Sequence, residues 1–229
     1  EQAFIRPNRA PAFRTAENPW VRQAWVDGED ISFHALAVNG TLTAFSAYRS
    51  RWRSRGGSSY YFEPVDSVTS ARLQTIARQL VEGLGLHGQL GCDLRIDPNG
   101  DYWLIECNPR ATSGLHLLSH DPEALSAAFL GAGRVLQMSQ QPACFGPAMC
   151  LLGLPAAVSS GQLPVWSRDL KRARDVIEGQ HGGDLYGQIH QNQGAERLGV
   201  GGEAPAHLNF WRVQVRVRVD AGLAGHQGI

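Results

Sequence analysis

QLGCDLRIDPNGDYWLIECNPR, residues Gln89 to Arg110, is the stretch on which the fold turns. Two β-prone runs, Gln89 to Ile96 and Tyr102 to Asn108, flank Pro98-Asn99-Gly100, a sequence that favours a tight turn. With Asn99-Gly100 as a two-residue turn, Asp93 faces Glu106 and Cys92 faces Cys107. The period of two then places Leu90, Cys92, Leu94 and Ile96 on one face with Trp103, Ile105 and Cys107. That face is apolar and is expected against the core. The other face gathers Asp93, Glu106 and Asn108, with Gly91 opposite Asn108 leaving space. A three-residue turn would slip the register by one and break this face.

Two directly opposed carboxylates, with Cβ atoms about 5 Å apart, repel each other. A divalent cation between them removes that cost. Two carboxylates and an amide oxygen are hard ligands that suit Mg²⁺ or Mn²⁺, with nucleotide phosphates completing the shell. A solvated polar face carrying a chance acidic pair is the other reading, and the residues alone leave both standing.

Working outward, Asn39-Gly40 between Ile31 to Val38 and Thr41 to Tyr48 predicts a second hairpin with a type I′ turn. Pro19 to Val26 reads as a strand ended by Asp27-Gly28. Arg49 to Ser59 is a basic loop, with Arg49, Arg51, Arg53 and Arg55 around Trp52. It reads as a solvated loop, or as a loop for phosphate, substrate or single-stranded nucleic acid. Leu73, Ile76, Ala77, Leu80, Val81 and Leu84 recur at helical spacing, with Ser67 or Ser70 as the expected cap and Gly83 or Gly85 as the stop. Asp121-Pro122 starts a short helix through Leu130. Trp166 to Ile177 reads as another helix. Gln180 to Gly202 reads as loop or disorder, and Arg212 to Val219 alternates like a strand.

Cys92-Asp93-Leu94, the DPNG turn, Leu104 to Arg110 (LIECNPR) and Ala111 to His116 (ATSGLH) together resemble the metal-binding end of an ATP-grasp domain. Pro19 to Asp30 (PWVRQAWVDGED) resembles the adenine-binding hinge strand of the same family. The resemblance runs from Pro19 to Leu130 and is nearest to the ATP-grasp domains of carboxylate–amine ligases and carbamoyl-phosphate synthase. It implies an α+β fold, the C-terminal subdomain of the family, with an antiparallel sheet, flanking helices and the N-terminal half missing. Residues 1–134 would then be a partial ATP-grasp domain. Residues 135–229 would be a C-terminal extension, loop-rich over 179–211.

The resemblance also implies roles. Asp93, Glu106 and Asn108 would hold Mg²⁺ (or Mn²⁺) against ATP, while Gln23, Ala24, Trp25 and Val26 would receive the adenine edge. Glu29 would hydrogen-bond the ribose, and Arg110 would steady the acyl phosphate or the transferred phosphoryl group with its planar fork. The implied reaction makes an acyl phosphate from a small carboxylate and ATP for attack by an amine.

Composition bounds these expectations. The 229 residues carry 21 basic and 21 acidic side chains, and are 43% hydrophobic and 18% charged. Zero formal charge argues against a partner held by a bulk basic field, either nucleic acid or a membrane surface. The apolar runs fall far below the roughly 20 residues of a membrane span. With no signal peptide and no CxxC pair, a cytoplasmic chain with reduced Cys92 and Cys107 is expected. His34 reads as a structural histidine. His116 and His120, four apart, have the spacing of a zinc pair but no third ligand nearby. Lys171 is the one lysine among twenty arginines. ATP-grasp domains hold α- and β-phosphates with lysines from their N-terminal half, so the ligase activity is expected only if that half is supplied. A non-catalytic nucleotide-binding or scaffold module, or an inactive fragment, is the alternative.

Overall fold

The computed structural model describes residues 25–54, 57–177 and 217–219. Strands β1 (Glu29–Val38) and β2 (Thr41–Arg49) form the Asn-Gly hairpin, with Val38 paired to Thr41. Asn39 (φ 49°) and Gly40 (φ 78°) both take positive φ, as the type I′ turn demands. Further along, Leu36 pairs with Ala44 but Ala37 with Leu42, so Thr43 is the extra residue of a bulge. Its hydroxyl donates to the Leu36 carbonyl (3.2 Å).

Strand β3 (Tyr61–Pro64) and helix α1 (Ser67–Gly83) lead to β4 (Gly88–Ile96) and β5 (Tyr102–Asn108). A 3₁₀ turn (Ser113–Leu117) and α2 (Pro122–Phe129) follow, then β6 (Leu136–Gln137) and β7 (Ala143–Cys144). Helix α3 (Gly146–Ala148), a π-helical segment (Met149–Gly153), α4 (Leu154–Ser159) and α5 (Leu163–Arg172), β8 (Arg174–Asp175) and β9 (Val217–Val219) complete the described elements. The strands lie in the order β8-β7-β3-β2-β1-β4-β5-β9, with β6 beside β2. Pairs β2–β6 and β7–β8 are parallel, so the sheet is mixed rather than purely antiparallel. Those strands arrive by crossovers instead of hairpins, which permits the parallel sense. Strands from both sides of residue 134 share the sheet.

The sheet has two unlike faces. Alternation along β1 sends Ile31, Phe33, Ala35 and Ala37 into the main core, where Leu73, Ile76, Ala77 and Val81 of α1 also lie. On the opposite face, Leu115, Leu118, Leu125 and Ala128 cover Leu36 and Ala44. That cover is partial, and the rest of the face is polar. A third cluster, with Trp52, Tyr60, Tyr61 and Met149, packs against Val165, Trp166 and Leu170 near the C-terminal helices.

Several expectations change. Asp66, rather than Ser67 or Ser70, caps α1: its carboxylate accepts from the Thr69 amide (2.9 Å) and hydroxyl (2.6 Å). These bonds hold its pKa below the ordinary value. The helix expected over Trp166 to Ile177 runs Leu163–Arg172 and gives way to β8. There Arg174 N donates to the Pro142 carbonyl and Val176 N to that of Cys144, so neighbouring-strand pairing ends the helix. Trp25 to Asp27 are not strand; residues 19–24 lie outside the described residues. So do 180–202, expected as loop or disorder, and 212–216 of the C-terminal strand, of which Val217–Val219 pairs with β5. Among the described residues no helix is long and apolar enough to cross a membrane.

Candidate metal and nucleotide site

The β4–β5 hairpin is built differently from a two-residue turn. Ile96 pairs with Tyr102, so Asp97 to Asp101 form the connection. Asp97 organises it, accepting from the Asn99 and Asp101 amides and from the Trp103 indole. Leu94 pairs with Leu104 but Asp93 with Glu106, leaving Ile105 as an extra residue. This bulge offsets the longer turn. The pairs Cys92↔Cys107, Asp93↔Glu106 and Gly91↔Asn108 therefore form as anticipated, while the core-facing residues nearer the turn are Tyr102 and Leu104 in place of Trp103 and Ile105. Cys92 and Cys107 are free thiols with sulfurs 3.3 Å apart. The contact with the Cys107 sulfur, and burial after it, push the Cys92 thiol up.

Register carries the carboxylate face across four strands. Glu106, Asp93, Ser32 and Tyr48 form one transverse row on β5, β4, β1 and β2. Asn108, Gly91, His34 and Ser46 form the next. Ser32 Oγ donates to Asp93 Oδ1 at 2.6 Å. The segment after Asn108 folds back over the second row: Thr112 Oγ1 lies 3.2 Å from His34 Nδ1, and Ser46 Oγ donates to the Gly114 carbonyl at 2.8 Å. The space expected at Gly91 is filled by Thr112, since a Cβ on Gly91 would stand 2.2 Å from Thr112 Cγ2. A Cβ on Gly114 would stand 2.5 Å from His34 Cβ and 2.7 Å from Ser46 Oγ.

Burial dominates the electrostatics beneath this loop. His34 is fully buried and its pKa falls to about 4, with Gln89 opposing the shift and His116 adding to it. His116 also falls to about 4, through burial and then the Arg174 charge. Tyr48 is pushed up to about 12 by burial first and Asp93 second, so its phenol stays protonated.

The anticipated residues are only partly gathered. Asp93, Glu106 and Asn108 share one face. Arg110 is exposed beside them and donates from Nη2 to Asn108 Oδ1 at 3.4 Å. Glu29 pairs with Ile96 on the opposite face, where its carboxylate is held by Arg49. Gln23 and Ala24 lie outside the described residues, whereas Trp25 and Val26 are held by Arg95. Its guanidinium lies 4.1 Å from the centre of the exposed Trp25 ring, donates to the Val26 carbonyl at 2.6 Å and pairs with Asp30 at 2.7 Å.

Ser32 and Arg95 are the residues sequence reasoning passed over. The signal for Ser32 was a hydroxyl at an alternate position of a strand whose other side is apolar. The basic loop spends its charges internally: Arg49 on Glu29 and Asp66, Arg51 on Asp169 and Glu63, Arg53 on Asp30. Arg55 lies outside the described residues. His116 belongs to the 3₁₀ turn and His120 lies beyond it, with Nδ1 3.1 Å from the Leu117 carbonyl.

The donor set fits a hard divalent cation. Among the described residues no three His, Cys, Asp or Glu side chains form a group that could hold a metal ion, and the oxygen donors on this face are Asp93, Glu106 and the Asn108 amide. Few protein ligands, all oxygen, leave positions for water and phosphate, the balance Mg²⁺ prefers.

A family model described as "ATP-grasp domain" matches residues 1–114. Over those residues the chain belongs to the ATP-grasp family. Among solved structures, the chain is similar to N5-carboxyaminoimidazole synthetase from Staphylococcus aureus, with 14% identity and a TM-score of 0.40 over 56% of this chain and 37% of that one. A biotin carboxylase complex from Campylobacter jejuni has 19% identity and a TM-score of 0.36, over 51% and 28%. An L-amino acid ligase from Bacillus licheniformis has 17% identity and a TM-score of 0.31, over 39% and 24%. The chain thus spans little more than a third of the first of these structures and less of the others. No curated protein sequence matches it. The ATP-grasp match ends at Gly114, where the loop crosses His34 and Ser46, so it includes both hairpins and the carboxylate face.

Proposed function

We propose that this chain contributes the Mg²⁺–nucleotide face of an ATP-dependent carboxylate–amine ligase. Asp93 opposed to Glu106 with Asn108 on the same face, within an ATP-grasp match, is the observation that carries the reading. In it, Asp93, Glu106 and Asn108 hold Mg²⁺ (or Mn²⁺), which when bound neutralises charge on the ATP phosphates and on the transferred phosphoryl group. Arg110 has its guanidinium exposed beside Asn108, where it can pair with an anionic substrate or the acyl phosphate. Trp25 and Val26, held by Arg95, form the described end of the adenine hinge, with Gln23 and Ala24 preceding them. Arg95 already occupies the Val26 carbonyl. Asp30 shares the face of Asp93, and its carboxylate is held by Arg95 and Arg53. Positioning and fixed charge supply the catalysis, and the substrate is a small carboxylate activated for attack by an amine.

Calorimetric titration of the chain with Mg·ATP tests the site. Asp93→Asn, Glu106→Gln and Asn108→Ala should each weaken binding by about tenfold or more, the scale of a lost charge-assisted contact. Variants that bind Mg·ATP as tightly as the parent would show that these side chains hold no metal.

A further inference from the structure

We propose that Ser32 is a positioning residue for Asp93, fixing one carboxylate oxygen so that the other is presented to the cation. This rests on reading Asp93 as a metal ligand. Pairing of β1 with β4 sets Ser32 directly beside Asp93, and the hydroxyl spends its single proton on Oδ1 at 2.6 Å. Ser32 itself is only 9% exposed, so water competes poorly for that bond, whereas Asp93 is exposed. On its other side Ser32 is paired with the buried Tyr48, which limits where the hydroxyl can move.

The arrangement answers a specific problem. Asp93 and Glu106 stand directly opposite each other, and without a cation their charges favour rotamers that swing the carboxylates apart. A short hydrogen bond to a hydroxyl anchored in a neighbouring strand holds Asp93 against that rotation before the metal arrives. The bond uses Oδ1 and leaves Oδ2 for coordination. Partners of this outer kind typically contribute 10–100-fold to metal affinity. The lower end, about tenfold, applies to one neutral donor.

The experiment is a titration of the full chain with Mn²⁺ alone, reading free Mn²⁺ by electron paramagnetic resonance. Circular dichroism checks that each variant is folded. Asp93→Asn should abolish most binding, Ser32→Ala should weaken it by about tenfold, and Ser32→Thr, which restores the hydroxyl, should recover it to within about twofold. If Ser32→Ala does not fold, Ser32→Cys replaces it, with a poor donor and the same expected loss. Loss in Asp93→Asn without loss in Ser32→Ala overturns the positioning role alone. Equal loss in Ser32→Ala and Ser32→Thr also overturns it, since strand packing would then be the cause. Unchanged binding in Asp93→Asn removes the metal reading itself and the inference with it.

Discussion

Acidification from about pH 7 to 5 should destabilise this protein, and the buried His34 and His116 are the reason. Native His34 is fully buried with a pKa near 4, against an ordinary value of 6.5. The unfolded chain therefore binds a proton there from about pH 6.5 downward, while the native state resists until about pH 4. A lowered pKa means stability rises with pH through that window and is lost as pH falls. At about pH 5 the difference amounts to about 2 kcal/mol relative to neutral pH. His116, shifted to the same value by burial, contributes a similar amount. Together they remove about 4 kcal/mol, a large part of a typical domain's 5–15 kcal/mol.

The measurement is urea unfolding at about pH 7, 6 and 5 for the parent and for His34→Asn, which keeps a hydrogen-bonding group near Thr112 but does not titrate in this range. Asn should lower stability at neutral pH yet roughly halve the loss on acidification. Identical slopes in the two proteins would refute a buried neutral imidazole at position 34.

Two further substitutions follow from packing. Gly114→Ala should cost about 1–3 kcal/mol in urea unfolding, because its Cβ meets His34 and Ser46 at 2.5 and 2.7 Å and the loop must lift; an unchanged midpoint would show that the loop does not press on the sheet. Asp169 is fully buried and accepts from Arg51 (2.9 Å), Trp52 (3.0 Å) and Arg168 (3.0 Å). Asp169→Ala leaves the buried Trp52 indole N–H without its acceptor, while the part-exposed Arg51 and Arg168 guanidiniums turn to water, and should cost about 1–3 kcal/mol, with Trp52 fluorescence shifting to the red in the folded state.

The two hairpins and the amphipathic helix were legible because their signals are local. Asn39-Gly40 fixes both its turn type and the pairing beside it, and the spacing of Leu73, Ile76, Ala77 and Val81 fixes the buried face of α1. Opposition of Asp93 to Glu106 was also read in advance, but the route differs. A longer connection and a bulge at Ile105 shift the register in compensating steps. Composition says little about either, since a bulge depends on what the twisted strand packs against. The helix beyond Trp166 was overextended because helical periodicity does not register the parallel pairing that draws Arg174 and Asp175 into the sheet.

By itself, then, the sequence determined the hairpins, the residue types of the carboxylate face and the ATP-grasp family. What only the tertiary structure decided is what stands beside them. β1 meets β4 across 61 residues of chain, a pairing chosen by burial of two apolar faces rather than by any short-range signal. That choice puts Ser32 on Asp93, Arg95 on Trp25 and Val26, and the Thr112 loop over His34. It also turns Glu29 to the far face, because a strand alternates and neighbouring residues cannot share a side.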